Sequence, residues 1–112
     1  MYDKNNVFFK ILNKEIPTEI VYEDDVCLAF NDINPVSKVH VLVITKGLYV
    51  NFADFVNNAS EQDVYKFFQS VSKIAEQLGL TENGYRILSN TGKDAGQEIE
   101  HFHVHICGGQ KL

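Results

Sequence analysis

The chain has 112 residues, enough for one small domain over residues 1–112 and too few for two. Its formal net charge of −5 and its one arginine, Arg86, exclude the basic face of a general nucleic-acid binder. They leave room for a mononucleotide, whose phosphate can be held by backbone N–H groups, histidines and a polar loop.

Met1 to Asn6 is polar, without a signal-like apolar core, and no apolar run approaches the ~18 residues of a membrane span. Val7, Phe8, Ile11 and Leu12 then recur at helical spacing, predicting a short helix from about Asn6 to Asn13. Ile16-Pro17 closes it, because the residue before a proline is biased away from helical backbone. Ile20 to Glu23 and Cys27 to Phe30 read as two strands of a hairpin, with Glu23-Asp24-Asp25 supplying the turn. Asn31 to Pro35 is a polar loop. Val39 to Thr45 is a strongly apolar, β-branched strand interrupted by His40. Leu48 to Phe55 is ambiguous, and a short helix is one reading of it.

Ser60 to Leu78 is the clearest helix. Ser60 can cap it, and Val64, Phe67, Phe68, Val71, Ile74, Ala75 and Leu78 make one apolar stripe. Gly79 suits a left-handed residue beyond its end. Asn83-Gly84 is a turn, Tyr85 to Ser89 a strand, and Asn90 to Gln97 a loop with two glycines. His101 to Cys107 is the last strand, ended by Gly108-Gly109. Strands and helices do not alternate regularly, which favours an α+β fold with an antiparallel sheet.

The last strand carries the chemistry. Strand side chains alternate between faces, so His101, His103 and His105 share one side while Phe102, Val104 and Ile106 share the other, against the long helix. Same-face neighbours are ~6.6 Å apart, so one phosphate can meet more than one ring. Imidazole is the side chain best matched to proton transfer and nucleophilic attack near neutral pH. His40 fits either a satisfied core histidine or a member of this site. A His-x-His pair also suits zinc, but His101 and His105 are ~13 Å apart along a strand, too far for both to hold one ion. Asn90, Gly92, Gly96 and Gln97 bring flexible backbone and amide donors suited to an anion, or form an ordinary glycine loop. Cys27 and Cys107 lack metal-ligand spacing and are too few for a disulfide framework, so a reduced, cytoplasmic protein is expected.

His-Phe-His-Val-His-Ile-Cys followed by Gly108-Gly109 resembles the His-φ-His-φ-His-φ-φ signature of the histidine triad (HIT) family, where φ is apolar. Phe8 to Ile11, Lys14 to Pro17, Tyr22 to Asp25, Ala29 to Pro35, His40 to Ile44, Gly84 to Arg86 and Gly96 to Glu98 resemble successive blocks of its Hint branch. The resemblance implies a HIT-like α+β fold: a five-stranded antiparallel sheet, one long and one short helix, and a sheet continued across a homodimer. It implies hydrolysis of purine nucleoside 5′-phosphoramidates to the nucleoside monophosphate, an AMP- or GMP-like ligand, no cofactor and no metal. By position, His103 would be the nucleophile, with His101, His105 and His40 orienting it, holding phosphate oxygens and aiding proton transfer. Asn90 and backbone N–H groups at Gly96, Gln97 and Glu98 would bind the phosphate. Asp32 would accept from the ribose, and Val7, Phe8, Ile11, Phe30, Ile33 and Leu42 would line the base pocket. Glu98 stands where bacterial members often carry glutamate, and Glu100 replaces a tyrosine common before the triad. Asn6 and Phe9 replace cysteines of zinc-carrying relatives. Dinucleoside polyphosphate hydrolysis, a non-catalytic nucleotide-binding or interaction module, and a metal-binding protein are the alternative readings.

Overall fold

The computed structural model describes residues 1–112. Helix α1, Val7–Leu12, starts at Asn6, whose side-chain oxygen accepts from the Phe9 N–H at 2.9 Å and so satisfies one of the unpaired donors of the first turn. Strands β1 (Ile20–Glu23) and β2 (Cys27–Asn31) form the expected hairpin. Its turn is organised by Asp24 Oδ1, which accepts from the N–H groups of Val26 and Cys27 at 2.9 and 3.0 Å.

Strand β3 (Val39–Thr45) lies antiparallel to β2, followed by α2 (Phe52–Asn58) and α3 (Glu61–Gln77). Strand β4 (Tyr85–Leu88), a short 3₁₀ turn (Lys93–Ala95) and β5 (His103–Gly108) complete the chain. The sheet order is β1-β2-β3-β5-β4, every pairing antiparallel. The α+β class and the five-stranded sheet are as expected. The helix inventory is larger than expected, because the ambiguous segment resolves into α2, whose cap Asn51 accepts from the Asp54 N–H. The last strand begins at His103, two residues later than the alternation suggests, although Thr45 N–H still reaches the Phe102 carbonyl at 3.5 Å.

The two faces of the sheet have separate cores. On one, α3 presents Phe67, Val71, Ile74 and Ala75 to Val41, Val43, Phe102, Val104 and Ile106. Ser60 Oγ caps this helix by accepting from the Asp63 N–H, and Gly79 beyond its end has φ +75°, which only glycine adopts without a steric penalty. On the opposite face α1 packs Phe8 and Ile11 against Leu28, Phe30, Leu42 and Ile44. The alternation of β5 therefore places its apolar residues under α3 and its histidines on the α1 side. No helix is long and apolar enough to cross a membrane.

Candidate active site

Cross-strand register brings the four histidines together. His103 lies opposite Ile44, His105 opposite Leu42, and Cys107 opposite His40. His40 is thus the diagonal neighbour of His105, a spacing that long side chains bridge. The His103 and His105 ring centroids are 5.1 Å apart, and those of His40 and His105 are 5.2 Å apart. The Phe8 ring sits edge-on to His103 at 4.9 Å and to His101 at 6.2 Å, so α1 roofs the cluster.

Hydrogen bonds fix which nitrogen of each ring carries the proton. His103 Nδ1 lies 2.7 Å from the His101 carbonyl, which can only accept, so Nδ1 is protonated and Nε2 bears the lone pair. His40 Nδ1 accepts from the Val36 N–H at 3.1 Å, so its proton is on Nε2. That Nε2–H points to His105 Nδ1 at 2.9 Å, with Asp32 Oδ2 at 3.4 Å, and therefore leaves the His105 proton on Nε2. His101 is fully buried; its Nε2–H donates to the Thr45 carbonyl at 2.7 Å and its Nδ1 accepts from the Tyr2 hydroxyl.

Both ring nitrogens of His40 and of His101 are thus engaged. Only Nε2 of His103 and Nε2 of His105 lack a partner, and since no buried side-chain nitrogen or oxygen is left unpaired, both are open to solvent. One offers a lone pair and its neighbour offers a proton. Burial pushes the pKa of His103 below the ordinary histidine value and that of His105 down to about 4, helped for His105 by the His103 and His40 rings. Desolvation disfavours the charged ring, so both are neutral at pH 7.

The remaining expected site residues divide. Phe8, Ile11, Phe30 and Leu42 form one buried cluster beside the histidines, while Val7 is exposed and Ile33, 92% exposed, stands clear of the protein surface. Asp32 Oδ1 accepts from the Asn34 N–H at 2.8 Å, which fixes the carboxylate beside His40. The Asn90 side chain has no hydrogen-bond partner within the protein and is half-buried. In the loop that follows, the Gly96 N–H donates to the Lys93 carbonyl and the Gln97 N–H to the Gly92 carbonyl. The Gln97 side chain is also engaged: its amide donates to the Val50 and Ile99 carbonyls, and its oxygen accepts from the Gly92 N–H. Gly96 and Gln97 therefore shape the loop by internal bonds, and only the Glu98 N–H of the three is left without a partner in the protein.

Tyr2, Val36, Thr45 and Ser89 escaped the reading of the sequence. Ser89 Oγ donates to the His103 carbonyl at 2.8 Å, and Val36 and Thr45 act through backbone groups, which leave no mark in side-chain patterns. Asp32, His40 and His105 bring three ligand-type atoms within 4.8 Å of one another. They do not suit a metal: a ligating His40 Nε2 would need its proton on Nδ1, where it would meet the Val36 N–H head-on.

Residues 13–112 match the model of the HIT domain. The chain belongs to the HIT family. It is 48% identical to an uncharacterised HIT-like protein of Rickettsia prowazekii, over all of this chain and 93% of the relative. It is 41% identical to the purine nucleoside phosphoramidase of Escherichia coli strain K12, over 97% of this chain and 91% of that enzyme. Among solved structures, a HIT family hydrolase from Legionella pneumophila superposes with a TM-score of 0.89 at 37% identity, covering 96% of each chain. One from Clostridium thermocellum superposes with a TM-score of 0.86 at 40% identity, covering 98% of this chain and 95% of that one.

Proposed function

We propose that this HIT protein is a hydrolase that cleaves the P–N bond of purine nucleoside 5′-phosphoramidates. The observation that carries the reading is the unpaired, solvent-reachable lone pair on Nε2 of His103, held in place by the Nδ1–H bond to the His101 carbonyl. Nε2 attacks the α-phosphorus, forming an N–P bond as the P–N bond to the leaving amine breaks. The amine departs with the electron pair and takes a proton from water. The hydroxide left by that water then displaces His103 and yields the nucleoside monophosphate, so the two steps consume one water. A covalent intermediate replaces one difficult displacement by two easier ones. His105 Nε2–H donates to the phosphoryl oxygen as charge builds there, and His40, anchored by Val36 and Asp32, keeps that proton in place.

In this reading His101 acts through its carbonyl rather than by touching phosphate, because both of its ring nitrogens are engaged. Asn90 and the Glu98 N–H hold the phosphate, and Asp32 accepts from the ribose. The base lies against the apolar wall of Phe8, Ile11, Phe30 and Leu42, with Val7 and Ile33 at its rim; an apolar wall accepts either purine. No cofactor takes part. The 41% identity to the Escherichia coli phosphoramidase supports this substrate class over dinucleoside polyphosphates. The protein acts in the cytoplasm as a homodimer. The sheet edge at β4 supports this: Tyr85, Ile87 and Leu88 are exposed, and an apolar edge strand calls for a partner.

His103→Ala is expected to lower turnover of adenosine 5′-phosphoramidate by at least ~10³-fold, with the circular dichroism spectrum and nucleotide binding kept. Brief exposure of the wild type to substrate should leave a nucleotidyl adduct on His103, visible by mass spectrometry. Full activity in the variant would sink the proposal. Faster cleavage of diadenosine triphosphate than of the phosphoramidate would shift it to the polyphosphate reading.

A further inference from the structure

Tyr2 touches the triad from the N-terminal segment, far from it in sequence. The Tyr2 hydroxyl lies 2.5 Å from His101 Nδ1, and the two rings meet edge-on with centroids 5.5 Å apart. Tyr2 is held there by a tight turn. Asp3 Oδ1 accepts from the Asn5 N–H at 2.9 Å, and the Asn6 amide donates to the Asp3 carbonyl at 2.7 Å, while the Tyr2 ring packs against Phe9 on α1. The same Asn6 caps α1, so one short segment seats both the tyrosine and the helix that roofs the histidines.

His101 is 0% exposed and donates from Nε2 to the Thr45 carbonyl, so its Nδ1 must accept. The Tyr2 hydroxyl is the donor that answers it. Without that donor a buried acceptor stands unpaired; the proton stays on Nε2, because the Thr45 carbonyl can only accept, so the ring relieves the loss by shifting in its seat. The backbone of His101 is the part of the residue that holds His103, through its carbonyl 2.7 Å from His103 Nδ1. A loosened His101 ring therefore frees the carbonyl that keeps the nucleophilic lone pair on Nε2 of His103. Burial raises the phenol pKa of Tyr2, so it stays a donor at neutral pH.

We propose that Tyr2 is a positioning residue of the triad: its hydroxyl pairs the buried Nδ1 of His101 and seats that ring, and through the His101 carbonyl sets the orientation of His103. The proposal rests on the hydrolase reading only for its effect on rate; the link from Tyr2 to the two rings stands apart from it.

The test compares the wild type with Tyr2→Phe and Tyr2→Leu in the full chain. Imidazole ¹⁵N shifts, which separate protonated from lone-pair nitrogens, are read without substrate, and kcat and KM are measured on adenosine 5′-phosphoramidate. Tyr2→Phe, which keeps the ring, is expected to move the His101 Nδ1 resonance toward that of an unbonded lone-pair nitrogen while Nε2 stays protonated, weaken the Nδ1-protonated pattern of His103, and lower kcat about tenfold with KM within about twofold. Tyr2→Leu is expected to add little to that loss. Unchanged ¹⁵N patterns in Tyr2→Phe, an unchanged kcat, or a loss confined to Tyr2→Leu would overturn the proposal, the last because packing alone would then be at work. If the wild type cleaves no phosphoramidate while the His101 and His103 patterns shift in Tyr2→Phe, the hydrolase reading fails and the positioning link holds.

Discussion

Four imidazoles crowd one sheet face, and what separates them is which nitrogen is already engaged. His40 and His101 are supports with both nitrogens bonded; His103 and His105 each keep one free. Crowding and burial also give the site an acid sensitivity. The pKa of His101 is pushed down to about 4, chiefly by burial, and that of His105 to about 4. In the unfolded chain both titrate near 6.5, so between those values the unfolded state binds more protons and stability rises with pH. The contribution is complete above about pH 6.5 and is lost as pH falls toward 4. For His101 it is on the order of 3 kcal/mol. Urea unfolding between pH 7.5 and 4 is expected to show this decline, with roughly two protons taken up on unfolding near pH 5. A flat profile would mean that the rings are not buried as neutral groups.

At the scale of elements, the hairpin of β1 and β2 meets α3 through one carboxylate. Asp24 accepts from the Val26 and Cys27 N–H groups, from the Tyr22 hydroxyl at 3.0 Å and from Ser70 Oγ at 2.5 Å. Burial alone would raise its pKa, but these donors outweigh burial and hold it below the ordinary carboxylate value. The residue therefore ties a turn to the middle of the long helix on the sheet face away from the histidines. Asp24→Ala is expected to cost about 3 kcal/mol, because Ser70 and two turn N–H groups lose a charged acceptor together. A shift of the urea midpoint with unchanged KM for the phosphoramidate would place the effect in the fold and not in the site. On the other face α1 meets the histidines, since its residue Phe8 both joins the apolar cluster there and lies edge-on to the His103 ring.

For the whole molecule, the unfinished feature is the sheet edge. Strand β4 pairs with β5 on one side only, and its residues are exposed along their length, Ile87 at 48%. Antiparallel pairing of two β4 edges about a twofold axis would extend the sheet across both protomers and cover these side chains. Ile87→Lys is expected to turn a dimer into a monomer in light scattering and sedimentation, at concentrations where the wild type remains dimeric. A wild type that sediments as a monomer at such concentrations would remove the homodimer from the proposal.

Much of this was legible beforehand because it is periodic and local. Alternation in His-Phe-His-Val-His sorts three rings from three apolar residues, the 3.6-residue stripe marks α3, and Ser60 and Gly79 bound it. The HIT blocks along the chain identified the family from the same residues. Periodicity could not say that Leu48 to Phe55 gives way to a helix beginning at Phe52, or that the last strand starts at His103, since the Tyr49 carbonyl draws the Phe102 N–H out of the ladder. The loop's composition offered Gln97 as an anion donor and the resemblance implied a phosphate contact from its N–H, whereas its side chain braces the loop against Val50, 47 positions earlier, and its N–H donates to the Gly92 carbonyl. Side-chain period thus determined which face each of His101, His103 and His105 occupies. Which of them keeps a usable nitrogen was decided only by tertiary structure, because the deciding partners are backbone groups of Val36, Thr45 and His101 and the hydroxyl of Tyr2, of which Thr45 and Tyr2 are brought from distant parts of the chain.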